Sequence, residues 1–147
     1  MHATRTWILI ADGAHARFFE HREQTLREIE HLNLEGDRRL TREIATDRPG
    51  RAFDSIGKGR HAIPGKTDPH RENEHQFARK IAEVLHTHLD QFERVILVAA
   101  PSALGDLRKC LSMSIQSRVI AELNQDLTGL PLKKIQHHLS EKTILAF

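Results

Sequence analysis

Residues 94–100 read Arg-Val-Ile-Leu-Val-Ala-Ala, an apolar run with no polar side chain after its first position. A strand with one face in water alternates apolar and polar residues, whereas a strand that is apolar on both faces has to be covered on both. No other feature constrains the fold as strongly. It predicts a sheet with helices packed on either side, and the flanking sequence supplies them. Upstream, Phe77, Ile81, Val84, Leu85, Leu89 and Phe92 recur at spacings of three and four. That is the apolar stripe of an amphipathic helix. Asp68-Pro69 gives it a start, a cap residue followed by proline at the first helical position. Downstream, Pro101 ends the strand and Ser102 to Leu111 reads as a short helix. Val119, Ala121 and Leu123 alternate as a further strand, and Leu132, Ile135 and Leu139 mark a last helix after Gly129 and Pro131.

The N-terminal part has a different period. Trp7-Ile8-Leu9-Ile10-Ala11 is a strand-forming run closed by Asp12-Gly13, a turn signal in which glycine would accept positive φ. Ala14 to His21 reads as the return strand, with Phe18 and Phe19 on opposite faces. Residues 26–34 stay open: Leu26, Ile29 and Leu32 fit a helix, while their place after a hairpin favours a third strand. A hairpin meander followed by crossover connections yields an α/β fold. The expectation is a ribonuclease H-like mixed sheet of about five strands with helices packed on it. The 147 residues suffice for a single domain over 1–147.

Between Asp47 and Arg71 the apolar pattern stops. This stretch holds half of the eight glycines and three of the five prolines. Arg48, Arg51, Lys58, Arg60, Lys66 and Arg71 are opposed only by Asp47, Asp54 and Asp68. A patternless segment this long inside a domain is usually a working loop or a disordered one. Phe53, Ile56 and Ile63 are too few apolar anchors to offset the entropy of ordering it, so a mobile arm is expected. Arg48, Arg51, Lys58, Arg60, His61 and Lys66 are the candidate phosphate contacts, with Gly57 and Gly59 letting the backbone approach closely. Phe53 is the loop's only base-stacking side chain, which argues against sequence-specific reading.

Net charge is only +2, so any nucleic-acid footprint is local. A single cysteine, Cys110, excludes an internal disulfide and suits a reducing compartment, and it reads as a small buried residue. The N-terminus lacks a signal-peptide pattern, and no segment is long enough to span a bilayer. A cytoplasmic protein without membrane insertion is expected.

Two-metal nuclease chemistry needs carboxylates converging on two cations. Asp12 ends the first strand, and Glu72 or Glu74 could project from the long helix. The central strand, however, ends Val98-Ala99-Ala100-Pro101 without an acid, and Asp106 falls more than a turn into the next helix. Turn shaping accounts for Asp12, and the preference of acids for helix N-termini accounts for Glu72 and Glu74. Gly65-Lys66-Thr67 lacks the spacing of a phosphate-binding loop, because Gly59 and Gly65 enclose five residues where four are required. Among eleven histidines, neither His86/His88 nor His137/His138 has chelating spacing, although His61, His70 and His75 could gather at the loop base. No catalytic residue, metal or cofactor is expected. Asp12, Gly13 and Arg17 are assigned to architecture, with a strand-end anion site as the alternative; Arg17 would pair with an acid across the sheet or hold an anion there.

The stretches WILIADGAHARFFE, DRPGRAFDSIGKGRHA, TDPHRENEHQFARKIAEVL, ERVILVAAPSALGDLRKCL and RVIAELNQDLTGLP resemble the bacterial host-attachment protein family, the proteins required for attachment to host cells. That family is similar to the central domain of archaeal and eukaryotic peptide-chain release factors, a ribonuclease H-like module. In those factors a Gly-Gly-Gln loop precedes a long helix and enters the peptidyl-transferase centre. Here the corresponding place holds Gly57-Lys58-Gly59-Arg60, without the glutamine. The resemblance therefore implies ribosome or structured-RNA binding without peptidyl-tRNA hydrolysis. The family name implies the alternative, a host-surface or other protein partner that supports attachment.

Overall fold

The computed structural model describes residues 3–36, 69–142 and 145. Its first strand, β1 (Thr6–Ala11), is buried along its whole length. β1 pairs antiparallel with β2 (His15–Arg22) and parallel with β5 (Arg94–Ala99), so the two most apolar runs of the chain lie side by side. β6 (Val119–Leu123) pairs parallel with β5 on the far side. At the opposite edge, β2 meets β3 (Thr25–Glu28) at one end and the two-residue β4 (Leu34–Glu35) at the other. The sheet has six strands in the order β3-β2-β1-β5-β6, with β4 on β2. This is the mixed α/β sheet expected from the sequence, with one strand more than predicted.

The extra strand comes from residues 26–34, which are neither one strand nor a helix. β3 ends at Glu28, a 3-10 turn follows over Glu30–Leu32, and β4 resumes the edge. Where the ladder is interrupted, the Asn33 side chain substitutes for it. Its Oδ1 accepts from the Phe18 N–H at 3.0 Å, and its Nδ2 donates to Glu28 at 2.8 Å. The helical spacing of Leu26 and Ile29 is coincidental, since Leu26 packs on one face of the sheet and Ile29 on the other.

Helices cover both faces. α1 (Pro69–Thr87) and α2 (Pro101–Cys110) lie on the face of Trp7, Leu9, Phe18, Val95 and Leu97. α4 (Leu132–Glu141) covers Ile8, Ile10, Phe19, Ile96 and Val98 with Ile135 and Leu139. A single-turn helix, α3 (Met113–Gln116), joins α2 to β6. Pro69 opens α1 as predicted, while its expected cap, Asp68, lies outside the described residues. α1 stops at Thr87, short of the predicted Phe92. A 3-10 turn at Leu89–Gln91 then lets Phe92 leave the helix axis in extended conformation and pack on Trp7, ring centroids 4.9 Å apart. Arg118 fixes this corner by donating to the carbonyls of Leu89 and Phe92. Burying an aromatic of this size completely contributes about 1.5–3 kcal/mol, which outweighs another turn of exposed helix.

Candidate functional site

In open α/β sheets the ends of the parallel strands, where the chain departs into helices and loops, are the usual place for ligands. Here that edge gathers polar side chains around Asp12, the residue after β1. The Asp12 Oδ1 accepts from the backbone N–H groups of Ala14 at 2.8 Å and His15 at 2.6 Å. The His15 ring lies 3.3 Å away, and the Thr128 hydroxyl donates to Oδ2 at 3.2 Å. Burial pushes the Asp12 carboxyl toward neutrality, but the backbone donors and His15 outweigh it and hold the pKa below the ordinary value. Asp12 therefore caps its own turn as an anion.

The turn corrects the expectation for Gly13. A hairpin of the Asp-Gly type needs left-handed residues at its centre, yet neither Gly13 nor Ala14 is left-handed. The Asp12 side chain has captured the N–H groups that set the turn. What position 13 shows is proximity: a Cβ there would lie 2.6 Å from Glu74 Oε2, so any larger residue would displace the Glu74 side chain. The left-handed pair sits instead between β2 and β3, where Glu23 (φ 53°) and Gln24 (φ 66°) form the two-residue loop.

Asp12 borders two pockets. The first, about 130 Å³, opens between α1 and α2 and is lined by Asp12, Gly13, Glu74, Ser102 and Asp106 among others. Asp106 is 6% exposed, and it is the only buried charged residue among those described. It receives Arg71 through both terminal nitrogens, at 3.1 and 3.2 Å, with His75 at 3.3 Å. Arg71 also donates to Glu74 at 2.6 Å and Ser102 at 2.7 Å, and His70 reaches Glu74 at 3.1 Å. Glu74 first, and then Asp106, raise the Arg71 pKa. Three carboxylates thus converge, two of them on a guanidinium. Among the described residues no group of three or more His, Cys, Asp or Glu side chains is arranged to hold a metal ion.

The second pocket, about 330 Å³, is lined by Asp12, His15, Arg17, Asn33, Glu35 and Thr128 among others. Every nitrogen of the Arg17 guanidinium is engaged. Nε and Nη2 grip Glu28 at 2.9 and 3.0 Å, and Nη1 donates to the carbonyls of Thr128 and Leu130 at 3.0 and 2.6 Å. It also stacks on Phe19, 5.1 Å from the ring centroid. The Arg17 hydrogen bonds hold the Glu28 carboxyl below its ordinary pKa against a smaller opposing effect of burial, with help from Asn33.

Of the residues singled out from sequence, Asp12, Gly13 and Arg17 meet at this edge. Arg48, Arg51, Gly57, Lys58, Gly59, Arg60, His61 and Lys66, and with them the expected mobility of the arm, lie outside the described residues. Of the three histidines that could gather at the loop base, with surface positions favoured for them, His70 and His75 lie in the Arg71 cluster and His61 lies outside the described residues. Sequence reasoning placed Asp106 too far into its helix to matter. Because α2 starts directly after β5, a residue in its second turn still faces the pocket. The i, i+3 and i, i+4 spacing of Arg71 to Glu74 and His75 was the legible signal for the rest. Cys110 is half-buried, and burial raises its thiol pKa. Among the described residues no helix is long and apolar enough to cross a membrane.

Residues 7–139 match the family model described as "Protein required for attachment to host cells". No curated protein matches the sequence. Among solved structures, the crystal structure of an archaeal translation termination factor aligns with a TM-score of 0.50 and 14% sequence identity. The alignment covers 95% of this chain and 42% of that one. This chain therefore spans less than half of that protein, and at this identity the likeness is one of fold.

Proposed function

The chain belongs to the family of proteins required for attachment to host cells, and on that premise we propose that it is a non-catalytic, translation-linked module that binds the ribosome or structured RNA. The observation that carries the reading is the position of the cations. Arg48, Arg51, Lys58, Arg60, His61 and Lys66 fall in sequence between β4 and α1, in a fold shared with a translation termination factor. Phosphate contact is the ordinary work of such a set, since each Lys or Arg that meets a phosphate releases counterions. The state of the other arginines supports this assignment. Arg17 and Arg71 are occupied by carboxylates and carbonyls, so among the described residues neither pocket has a spare arginine for an anion. The absence of glutamine from Gly57-Lys58-Gly59-Arg60 favours binding over hydrolysis.

Co-sedimentation with purified ribosomes at low and at moderate salt tests the proposal. The chain should pellet with ribosomes at low salt and be released as salt rises. Failure to pellet at low salt would shift the reading to its rival, a protein-interaction factor that supports attachment, which the family description favours.

A further inference from the structure

The described chain stops at Gly36 and resumes at Pro69, and one short turn, Asp12 to His15, receives it at both points. On the outgoing side the Gly36 N–H donates to the Ala14 carbonyl at 2.6 Å. A Cβ on Gly36 would stand 3.3 Å from the Ala14 Cα and 3.4 Å from a ring carbon of Phe77 in α1, so a side chain there would wedge the turn away from the helix. On the returning side Glu74 lies against Gly13 of the same turn. Arg71, in the first turn of α1, joins Glu74 to Ser102 and Asp106 on α2.

Asp106 makes this junction unusual. It is buried, and a buried carboxylate costs desolvation that an apolar pair of similar volume avoids. Stability alone therefore does not account for an ion pair here. What the pair supplies is direction. The two terminal nitrogens of Arg71 meet the two oxygens of Asp106 at 3.2 and 3.1 Å, a fork that accepts one geometry, whereas apolar contact is non-directional.

We infer that Arg71 and Asp106 are positioning residues for partner binding: they fix the first turn of α1 against the Asp12–His15 turn, and so fix the two points between which the cations of residues 48–66 are strung. The inference rests on the ribosome or structured-RNA reading above and names residues on which that binding depends without touching the partner. Without the fork, only a fraction of the molecules hold the binding geometry, and the apparent Kd rises by the inverse of that fraction. The number of phosphate contacts stays the same, so the salt dependence keeps its slope. A loss of affinity at constant slope is the signature of positioning. Loss of a cation that itself meets a phosphate makes the slope shallower.

The test is ribosome co-sedimentation of the full chain across a salt series, at a temperature where circular dichroism shows every variant folded. Arg71→Met/Asp106→Leu replaces the pair on both sides with apolar groups. Arg71→Lys keeps the charge and loses the fork. Gly36→Val wedges the other end and removes no charge. The double variant should bind about tenfold more weakly at every salt concentration with the wild-type slope, and Arg71→Lys and Gly36→Val should each weaken binding several-fold in the same way. Folded variants that bind like the wild type would overturn the inference and leave the cluster purely structural. A shallower slope for the double variant, with Arg71→Lys binding like the wild type, would also overturn it, by making Arg71 a phosphate contact. A wild type that does not pellet at low salt defeats the ribosome reading and this inference together, whereas a wild type that pellets no better than the folded variants defeats the inference alone.

Discussion

Two polar pockets share Asp12, and a single arginine governs each, yet the two arginines occupy opposite situations. Arg17 is itself enclosed: its side chain is 21% exposed, and that of its partner Glu28 is 18% exposed. It ties β2 to β3 and to the loop before α4. Arg71 is 38% exposed and clasps an acid, Asp106, that is 6% exposed. On the Arg17 side the base and the acid are both half-buried, together with two backbone carbonyls. On the Arg71 side a buried acid is served from the surface, with His75 as a second partner. The difference lies in the number of anchors: Arg17 is bound to an acid and two backbone carbonyls at once, whereas among the described residues Arg71 meets only side chains and is more exposed.

That comparison fails or sharpens through stability measurements. Arg17→Met should cost the most, about 3 kcal/mol, because it orphans a largely buried carboxylate and two carbonyls. Urea denaturation measures it, and a loss under 1 kcal/mol, roughly that of a surface pair, would refute the architectural reading. Arg71→Met should cost less, about 2 kcal/mol, since exposure screens the pair and His75 remains beside Asp106. Adding Asp106→Leu should return much of that loss, because a buried pair replaced on both sides by apolar groups is often neutral. If the double variant were less stable than Arg71→Met alone, the pair would be worth more than its desolvation.

The Arg17 side should also respond to acid. Glu28 titrates below its ordinary 4.5 in the folded state, so its contribution is fully present above that value and is lost as pH falls through the folded one. Glu28→Gln should lower the melting temperature at neutral pH and flatten its further fall below about pH 4.5. An acid limb as steep as the wild type's would place the sensitivity elsewhere. The smallest effect is a gain. Gln24 lies at φ 66° in the β2–β3 turn, and a left-handed non-glycine residue costs roughly 1–2 kcal/mol, so Gln24→Gly should stabilise the chain by about 1 kcal/mol.

The layers were legible in the sequence because two-sided burial leaves an unambiguous mark. Val95 to Ala99 could only be a covered strand, and the helices on either side followed. The edge at residues 26–34 was not, because its interruption depends on the Asn33 side chain replacing ladder hydrogen bonds, which no periodicity records. Gly13 was read as a turn residue with positive φ, whereas what its missing Cβ leaves room for is the Glu74 side chain: a turn signal is local, while the approach of Glu74 is tertiary. Asp106 was missed because strand-end acids were sought on the strand itself.

The central claim is that the cations of the 47–71 segment, and not the Asp12 edge, meet a phosphate-bearing partner. Its most direct test measures ribosome binding against salt for the wild type, for a variant with Arg48, Arg51, Lys58, Arg60 and Lys66 changed to Gln, and for Arg17→Ala. Binding is measured at a temperature where all three are folded. The account predicts that the wild type binds with a steep salt dependence and that the loop variant loses most of its affinity, with a slope shallower by about 0.7 for each single-strand phosphate contact removed. Arg17→Ala should bind like the wild type despite its lower melting temperature. Binding that survives loss of the loop charges and disappears with Arg17→Ala would contradict the account and move the site to the strand ends.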